Sequence, residues 1–165
     1  MLLLEFPNES HRAMYEDLWK ELDGLDLDFI YPDNIYDYRG EKYITLLENT
    51  KLDYTWKREW RVPASMYFAI EAWVIIWAIQ LRHNIEHPNL IFRWGHIGYG
   101  VRPSERNKWH ATKMLQLVLQ EAYSLWLKQV LITADINNVG SNKVIQNNKW
   151  ILEKECLHED GTRFN

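Results

Sequence analysis

A run of mostly apolar, alternating residues is followed by a polar loop and then by a long amphipathic pattern. The run extends from His96 to Val101, is interrupted at Arg102-Pro103, and leads into a loop over residues 104–108. Beyond the loop, apolar residues recur at spacings of three and four, as on one face of a helix: Ala111, Leu115, Val118, Ala122 and Leu125. The pattern predicts a strand, a short basic loop and a helix over residues 107–126.

Further elements are predicted on both sides of this unit by the same periodicities and by capping signals. They are strand Leu2–Phe6, a helix from N-cap Ser10 to Leu22, helix Tyr43–Tyr54, strands Met66–Ile70 and Trp73–Leu81, strand Gln129–Ala134, helix Asn138–Asn148 and strand Trp150–Cys156. The strand–helix–strand unit over 96–134 implies a parallel pair, whereas the two middle strands are expected to be antiparallel. We therefore expect an α/β fold with a central mixed sheet flanked by helices.

Composition narrows the class of protein. A chain of 165 residues has the length of one domain, expected to span residues 1–165. The net charge of -4 disfavours nucleic acid as a partner. The single cysteine, Cys156, permits no internal disulfide, and we expect a cytoplasmic protein. The opening residues lack a basic segment and a cleavage site, and the longest apolar run, Ala72–Ile79, is too short for a bilayer, so no membrane association is expected.

The basic loop carries the first candidate chemistry. A helix begins where the loop ends, and the unpaired N–H groups and dipole of a helix N-terminus favour an anion. Arg102, Arg106 and Lys108 are expected to add positive charge there. The alternative is a solvated helix start with ordinary salt links.

The residues from Arg106 to Ala111 resemble the acetyl-CoA signature of the GNAT superfamily of N-acetyltransferases: Gln or Arg, two residues, Gly, one residue, then Gly or Ala. Arg106 and Ala111 match its two ends, and Trp109 stands at its central glycine. The later segment ADINNVGSNKVIQNN resembles the second motif on the coenzyme side. Three more tryptophans occupy positions where the resemblance would place glycine: Trp77, Trp126 and Trp150.

The resemblance implies a GNAT fold with acetyl-CoA as co-substrate and no metal. The pyrophosphate would be held by the backbone and side chains of the loop and helix start: Arg106, Asn107, Lys108, Trp109, His110 and Ala111. The pantetheine arm would pair with the strand at Tyr99, Gly100 and Val101, with Asn138 and Ser141 on its other side. An indole at position 109 would either shield the amides or point away from them.

Acetyl transfer also needs a general base for the amine. His96 is the first candidate, and Glu71 and His83 are weaker ones, although a histidine at a strand end is more often a structural group. The tyrosine that serves many relatives as general acid, seven residues after the motif asparagine, is Ile145 here. The spacing of His83, His87 and His96 does not place them on one face of an element, which disfavours a metal site.

Two functions follow from these observations. The first is an acetyl-CoA-dependent N-acetyltransferase that acts on a small-molecule or peptide amine by direct attack in a ternary complex. The alternative is a non-catalytic GNAT-fold binding protein that has lost or weakened coenzyme binding. The resemblance places an acidic, aromatic loop over residues 23–37 where relatives shape the acceptor pocket, and its aspartates would suit a cationic amine. The alternative is a solvated loop packed by its own aromatic residues. A shortened last strand would leave a sheet edge that a second subunit could cover as a homodimer.

Overall fold

A computed structural model describes residues 1–24, 39–55, 61–157 and 163–164. The elements in chain order are β1 (Leu3–Glu5), α1 (Arg12–Leu22), α2 (Tyr43–Tyr54), β2 (Ala64–Glu71), β3 (Val74–Arg82), β4 (Ile97–Tyr99), α3 (His110–Ser124), α4 (Val139–Asn147), β5 (Cys156–Leu157) and β6 (Arg163–Phe164). The acidic loop proposed to receive the acceptor falls almost entirely outside these residues.

The main sheet has the order β1-β2-β3-β4, and every neighbouring pair is antiparallel. Strands β2 and β3 form a hairpin in which Glu71 pairs with Val74. The two connecting residues, Ala72 and Trp73, have φ values of 49° and 63°. Positive φ at both positions is what a tight hairpin turn requires. The two strands predicted to be antiparallel are therefore joined by a tight turn that contains no glycine or asparagine, and Trp73 belongs to this turn instead of the predicted strand.

Both faces of the sheet are covered. On one face Met66, Phe68 and Ile70 of β2 pack with buried residues of α1 and α2. On the other, Tyr67 and Ala69 pack with the buried stripe of α3. Alternate residues of a strand point to opposite faces, so one fully buried strand joins two apolar cores. This arrangement confirms the predicted α/β class with a central sheet flanked by helices.

Several predicted boundaries were wrong. Ser10 does not cap α1: Asn8 accepts the Ser10 amide at 3.0 Å and starts a 3₁₀ turn, after which α1 begins at Arg12. Helix α3 is shorter than expected at both ends. Residues 150–155 form no strand, and β5 contains only two residues, paired with β6.

The predicted strand at 129–134, and with it the parallel pair, is absent from the described residues. One backbone hydrogen bond joins this segment to the start of β4, from the His96 amide to the Leu131 carbonyl at 2.7 Å. The amide of Leu131, which a ladder would use, donates instead to His96 Nδ1 at 2.9 Å. A side chain thus takes the place of the next rung, and the two segments then separate.

Candidate functional site

The site begins as a gap between β4 and the segment 131–138, and its closed end lies at Gly95-His96. A Cβ at Gly95 would lie 2.6 Å from the Leu131 carbonyl oxygen, so the close approach requires glycine at this point. His96 is 8% exposed, and burial lowers the pKa of its imidazole. Because Nδ1 accepts a hydrogen bond, the ring fastens the two segments together in its neutral form.

One wall of the gap is the free edge of β4. The amides of Gly100 and Arg102 donate to Ala78 and Ile76 of β3, at 3.2 and 3.0 Å. Backbone polar groups alternate in direction along an edge strand, so those of Tyr99 and Val101 face the gap. The Val101 carbonyl already accepts from Arg106 Nε at 3.1 Å. The remaining groups of this edge are available to an extended, peptide-like ligand.

The N-terminus of α3 forms the end of the gap. Its N-cap is Trp109, in the left-handed conformation with φ of 67°, and it makes no side-chain capping hydrogen bond. Asn107 also has a positive φ of 61°. The first amides of a helix have no carbonyl partner within it, so an anion can be bound at the start of α3 by amides that include those of residues 110 and 111.

The start of α4 forms the opposite wall. Asn138 caps this helix, accepting the Ser141 amide on Oδ1 at 3.0 Å. The Tyr99 phenol lies next to Ser141, and burial raises its pKa, with Ser141 offsetting the rise only in part. Among the described residues, the buried Tyr99 hydroxyl has no hydrogen-bond partner of normal geometry. The phenol is therefore protonated at neutral pH.

Together these walls enclose a pocket of about 850 Å³. All the residues expected to contact the coenzyme line it except Lys108, whose Nζ pairs with Glu105 at 3.1 Å. The motif comparison missed these lining residues: Glu105, Thr112, Asp135, Asn137, Gly140, Lys143, Val144 and Asn147. Most of them are neighbours of the predicted residues along the two helices, so helical spacing would have found them.

The prediction that Arg102 supplies positive charge to the pocket was wrong. Its side chain is 8% exposed and its Nε donates to Glu21 Oε2 of α1 at 2.6 Å, with Asp17 at 3.4 Å. The same Glu21 carboxylate accepts the Ser104 amide at 2.7 Å and the Ser104 hydroxyl at 2.8 Å. Arg102 and Glu21 therefore fix the loop to α1, and the pocket keeps Arg106 as its arginine.

Neither His96 nor Glu71 faces the pocket. His96 is at its closed end, bound to Leu131, and does not line it. Glu71 ends β2, where its two oxygens contact His110 and the N-terminal amine, each at 3.1 Å. These contacts, the amine first, lower the pKa of the Glu71 carboxyl. Ile145, at the position of the family's tyrosine, packs against the core beneath α3.

Trp109 lines the pocket and is 68% exposed. Its left-handed backbone is the conformation that glycine adopts without steric penalty. The structure thus supplies a physical reason for glycine at this position of the signature. Trp73 and Trp126 also combine a left-handed backbone with an exposed side chain, with φ values of 63° and 61° and exposures of 87% and 88%.

None of the helices in the described ranges is long and apolar enough to cross a bilayer. Within the same ranges, no group of three or more potential ligands is arranged to hold a metal ion.

Comparison by sequence gives no matching family model and no matching curated protein. Comparison of structures gives several acetyltransferases that align with 99% of this chain, including the following three. A RimL ribosomal L7/L12 alpha-N-protein acetyltransferase has a TM-score of 0.66 at 19% identity, with 87% of its own chain covered. The microcin C7 self-immunity acetyltransferase MccE, in complex with acetyl-CoA and AMP, gives 0.65 at 15% identity and 89% coverage. An N-acetyltransferase from Staphylococcus aureus Mu50 gives 0.62 at 14% identity and 96% coverage.

These similarities define the class: the chain has the fold of the GNAT N-acetyltransferases. A central sheet between two helix layers, with a pocket at the start of α3, is the arrangement that the sequence resemblance implied. At these identities the comparison establishes the fold, and the activity has to be argued from the pocket itself.

Proposed function

We propose that this protein is an acetyl-CoA-dependent N-acetyltransferase that transfers the acetyl group to a primary amine within a ternary complex. The observation that supports it best is one continuous pocket that joins an uncapped helix N-terminus to the free edge of a strand. Acetyl-CoA has a diphosphate and a peptide-like arm, which these two features would bind by amide hydrogen bonds.

The diphosphate would be bound at the start of α3. The amides of residues 107–111 and the dipole of the helix favour an anion, and Arg106 lies beside them in the pocket wall. Its Nε donates to the Val101 carbonyl, and the other N–H groups of its guanidinium would donate to the diphosphate. Lys108 would contribute by charge, across the loop from the pocket.

The arm would continue along β4. The amides of the arm would pair with the N–H and C=O groups of Tyr99 and with the N–H of Val101. Asn138 and Ser141, at the start of α4, would contact the arm from its other side. An amide of the strand would then also stabilise the oxyanion of the tetrahedral intermediate.

In the reaction, the neutral amine nitrogen attacks the thioester carbonyl, a C–N bond forms, and the C–S bond breaks. The amine loses a proton and the departing sulfur gains one. We assign the second transfer to Tyr99, because its phenol is kept protonated by burial and the residue lines the pocket beside Ser141. The acceptor's base stays a prediction: His96 and Glu71 are candidates whose ring or carboxylate is engaged in other contacts.

The second candidate function is a GNAT-fold protein that binds the coenzyme weakly and does not catalyse. The exposed indole of Trp109 at the helix mouth is the observation that favours it. Ile145 in place of a tyrosine points the same way, since an aliphatic side chain donates no proton.

Thermal shift and calorimetry with acetyl-CoA distinguish the two. For a dissociation constant of about 10 μM and free ligand near 1 mM, binding stabilises the fold by about 2.7 kcal/mol. Binding should be followed by release of free CoA thiol when a panel of amines is added, including peptides with free N-termini and small cationic amines. Binding without thiol release across the panel would favour the second function.

A further inference from the structure

His110 is the first residue of α3, and both nitrogens of its ring contact oxygen atoms. Its side chain is 12% exposed. Nε2 lies 3.1 Å from Glu71 Oε2, and Nδ1 lies 3.2 Å from the backbone carbonyl oxygen of Glu105. The Glu105 carboxylate is a second oxygen near Nδ1, at 3.4 Å.

Hydrogen-bond accounting fixes the protonation state of this ring. A carbonyl and an ionised carboxylate only accept, whereas a neutral imidazole donates from one nitrogen and accepts at the other. The N-terminal amine and His110 hold the pKa of the Glu71 carboxyl below its usual range, so Glu71 is ionised. Only the imidazolium, with two N–H donors, satisfies both contacts of His110.

A cation in the first turn of a helix opposes the helix dipole. It is stable here because carboxylates from two other places in the fold surround it. Glu71 comes from the end of β2 and also pairs with the Met1 amine at 3.1 Å. Glu105 comes from the loop and also pairs with Lys108 at 3.1 Å. Within the described ranges, Glu71 and Glu105 are the charged groups in contact with the ring.

We propose that His110 is an imidazolium at neutral pH whose charge, held by Glu71 and Glu105, sets the affinity of the pocket for its anionic ligand. The proposal rests on acetyl-CoA binding and gives Glu71 a positioning role instead of a catalytic one. The ring nitrogens are already bound within the protein, so His110 acts on the ligand through its charge. Its bond to Glu105 also closes the loop just before the helix mouth.

The sign of the pH dependence follows. Acid keeps the ring charged, and loss of its proton removes one positive charge from the helix mouth and one of the two ring contacts. Affinity for acetyl-CoA should therefore be higher in acid than in base. At an effective dielectric constant of about 20, removing one unit charge about 10 Å from an anionic ligand lowers its affinity roughly tenfold.

The test measures acetyl-CoA affinity by calorimetry from about pH 5.5 to pH 9, a range that covers histidine titration in most folded proteins. Wild type is compared with His110→Gln, Glu71→Gln and the control His87→Gln, a surface histidine outside the pocket. The phosphate of the ligand titrates near pH 6 itself, and subtracting the His110→Gln profile from the others removes that effect. Nitrogen-15 spectra of the free protein's imidazoles report the state of the ring without any ligand.

We expect two protonated ring nitrogens for His110 at neutral pH. After that subtraction, the wild-type and His87→Gln affinities should fall about tenfold with rising pH, and the fall for Glu71→Gln should occur at lower pH. His110→Gln itself should bind weakly and change with pH only as the ligand's phosphate does. A neutral single tautomer for His110 at neutral pH overturns the proposal. So do parallel profiles for wild type and His110→Gln when both bind, an outcome that leaves the proposed function standing. A wild type that binds acetyl-CoA at no pH overturns the proposed function and the affinity claim together.

Discussion

Trp126 has a left-handed backbone conformation, which predicts how replacements at this position change stability. It follows the end of α3 with φ of 61°, and its amide donates to the Tyr123 carbonyl at 2.9 Å while the next amide, of Leu127, donates to Ala122 at 3.1 Å. This pair of bonds is the Schellman arrangement, whose left-handed residue is usually glycine. The indole is 88% exposed, so side-chain packing contributes little to holding it there.

The magnitude follows from a comparison of two replacements, Trp126→Gly and Trp126→Ala. Both remove the same indole, whose buried part of about 30 Å² is worth about 0.8 kcal/mol. Only alanine retains the left-handed strain of about 1–2 kcal/mol, and glycine loses part of that advantage through its freedom in the unfolded chain. We expect the glycine variant to be more stable than the alanine variant by about 1 kcal/mol.

The assay is urea unfolding of both variants, with the same pair made at Gln116 as a matched control. Gln116 is exposed within α3, where right-handed backbone makes alanine the better residue by about 1 kcal/mol. The sign of the glycine–alanine difference should therefore reverse between the two positions. An alanine variant at 126 that equals or exceeds the glycine variant in stability would refute the left-handed assignment.

Three further predictions concern the anchored loop, the closed end of the gap and the proposed acid. Glu21→Gln should lower the free energy of unfolding at neutral pH by about 3 kcal/mol, since it leaves the buried Arg102 charge without its main partner. Burial raises the pKa of Glu21, but hydrogen bonds from Ser104 and Arg102 lower it by more, so the net shift is downward. Wild type should therefore lose this stability as pH falls through that depressed pKa, and the variant should not. His96→Ala should cost about 1–3 kcal/mol in urea unfolding by orphaning the Leu131 amide, whereas His96→Gln, which keeps an acceptor, should retain both stability and kcat unless His96 is the base. Tyr99→Phe should lower kcat about 100-fold with little change in KM for acetyl-CoA, and an unchanged kcat would remove the phenol from the mechanism.

The strand–loop–helix unit was predictable because its information is local. Apolar residues at helical spacing, from Ala111 to Ala122, specify the buried face of α3, and the same holds for Leu18 and Leu22 of α1. The pocket could be predicted from that unit, because the helix start and the strand edge that form it are close together in the sequence. Hence most of the residues expected to contact the coenzyme do line the pocket.

Two features could not be predicted from the sequence, because they depend on residues distant in the chain: the ion pair of Arg102 and the absence of a strand at 129–134 among the described residues. Arg102 looks like a free cation in a basic loop, but Glu21, which binds it, lies 81 residues away. The segment 129–134 has the composition of a strand, yet strand formation depends on a paired edge, and the imidazole of His96 takes the amide at which pairing would continue. Trp109 shows the reverse case, since its left-handed backbone explains a glycine that only the resemblance had suggested.

The most direct test of the account is a calorimetric titration of wild type and Trp109→Gly with acetyl-CoA and with S-acetylpantetheine, which lacks the nucleotide and the diphosphate. If the amides at the start of α3 bind the diphosphate, acetyl-CoA should bind at a single site and S-acetylpantetheine at least about tenfold more weakly. Trp109→Gly should bind acetyl-CoA as well as wild type or better. Equal affinity for the two ligands, or no heat from either ligand with either protein, would contradict the claim that this pocket binds acetyl-CoA through its diphosphate.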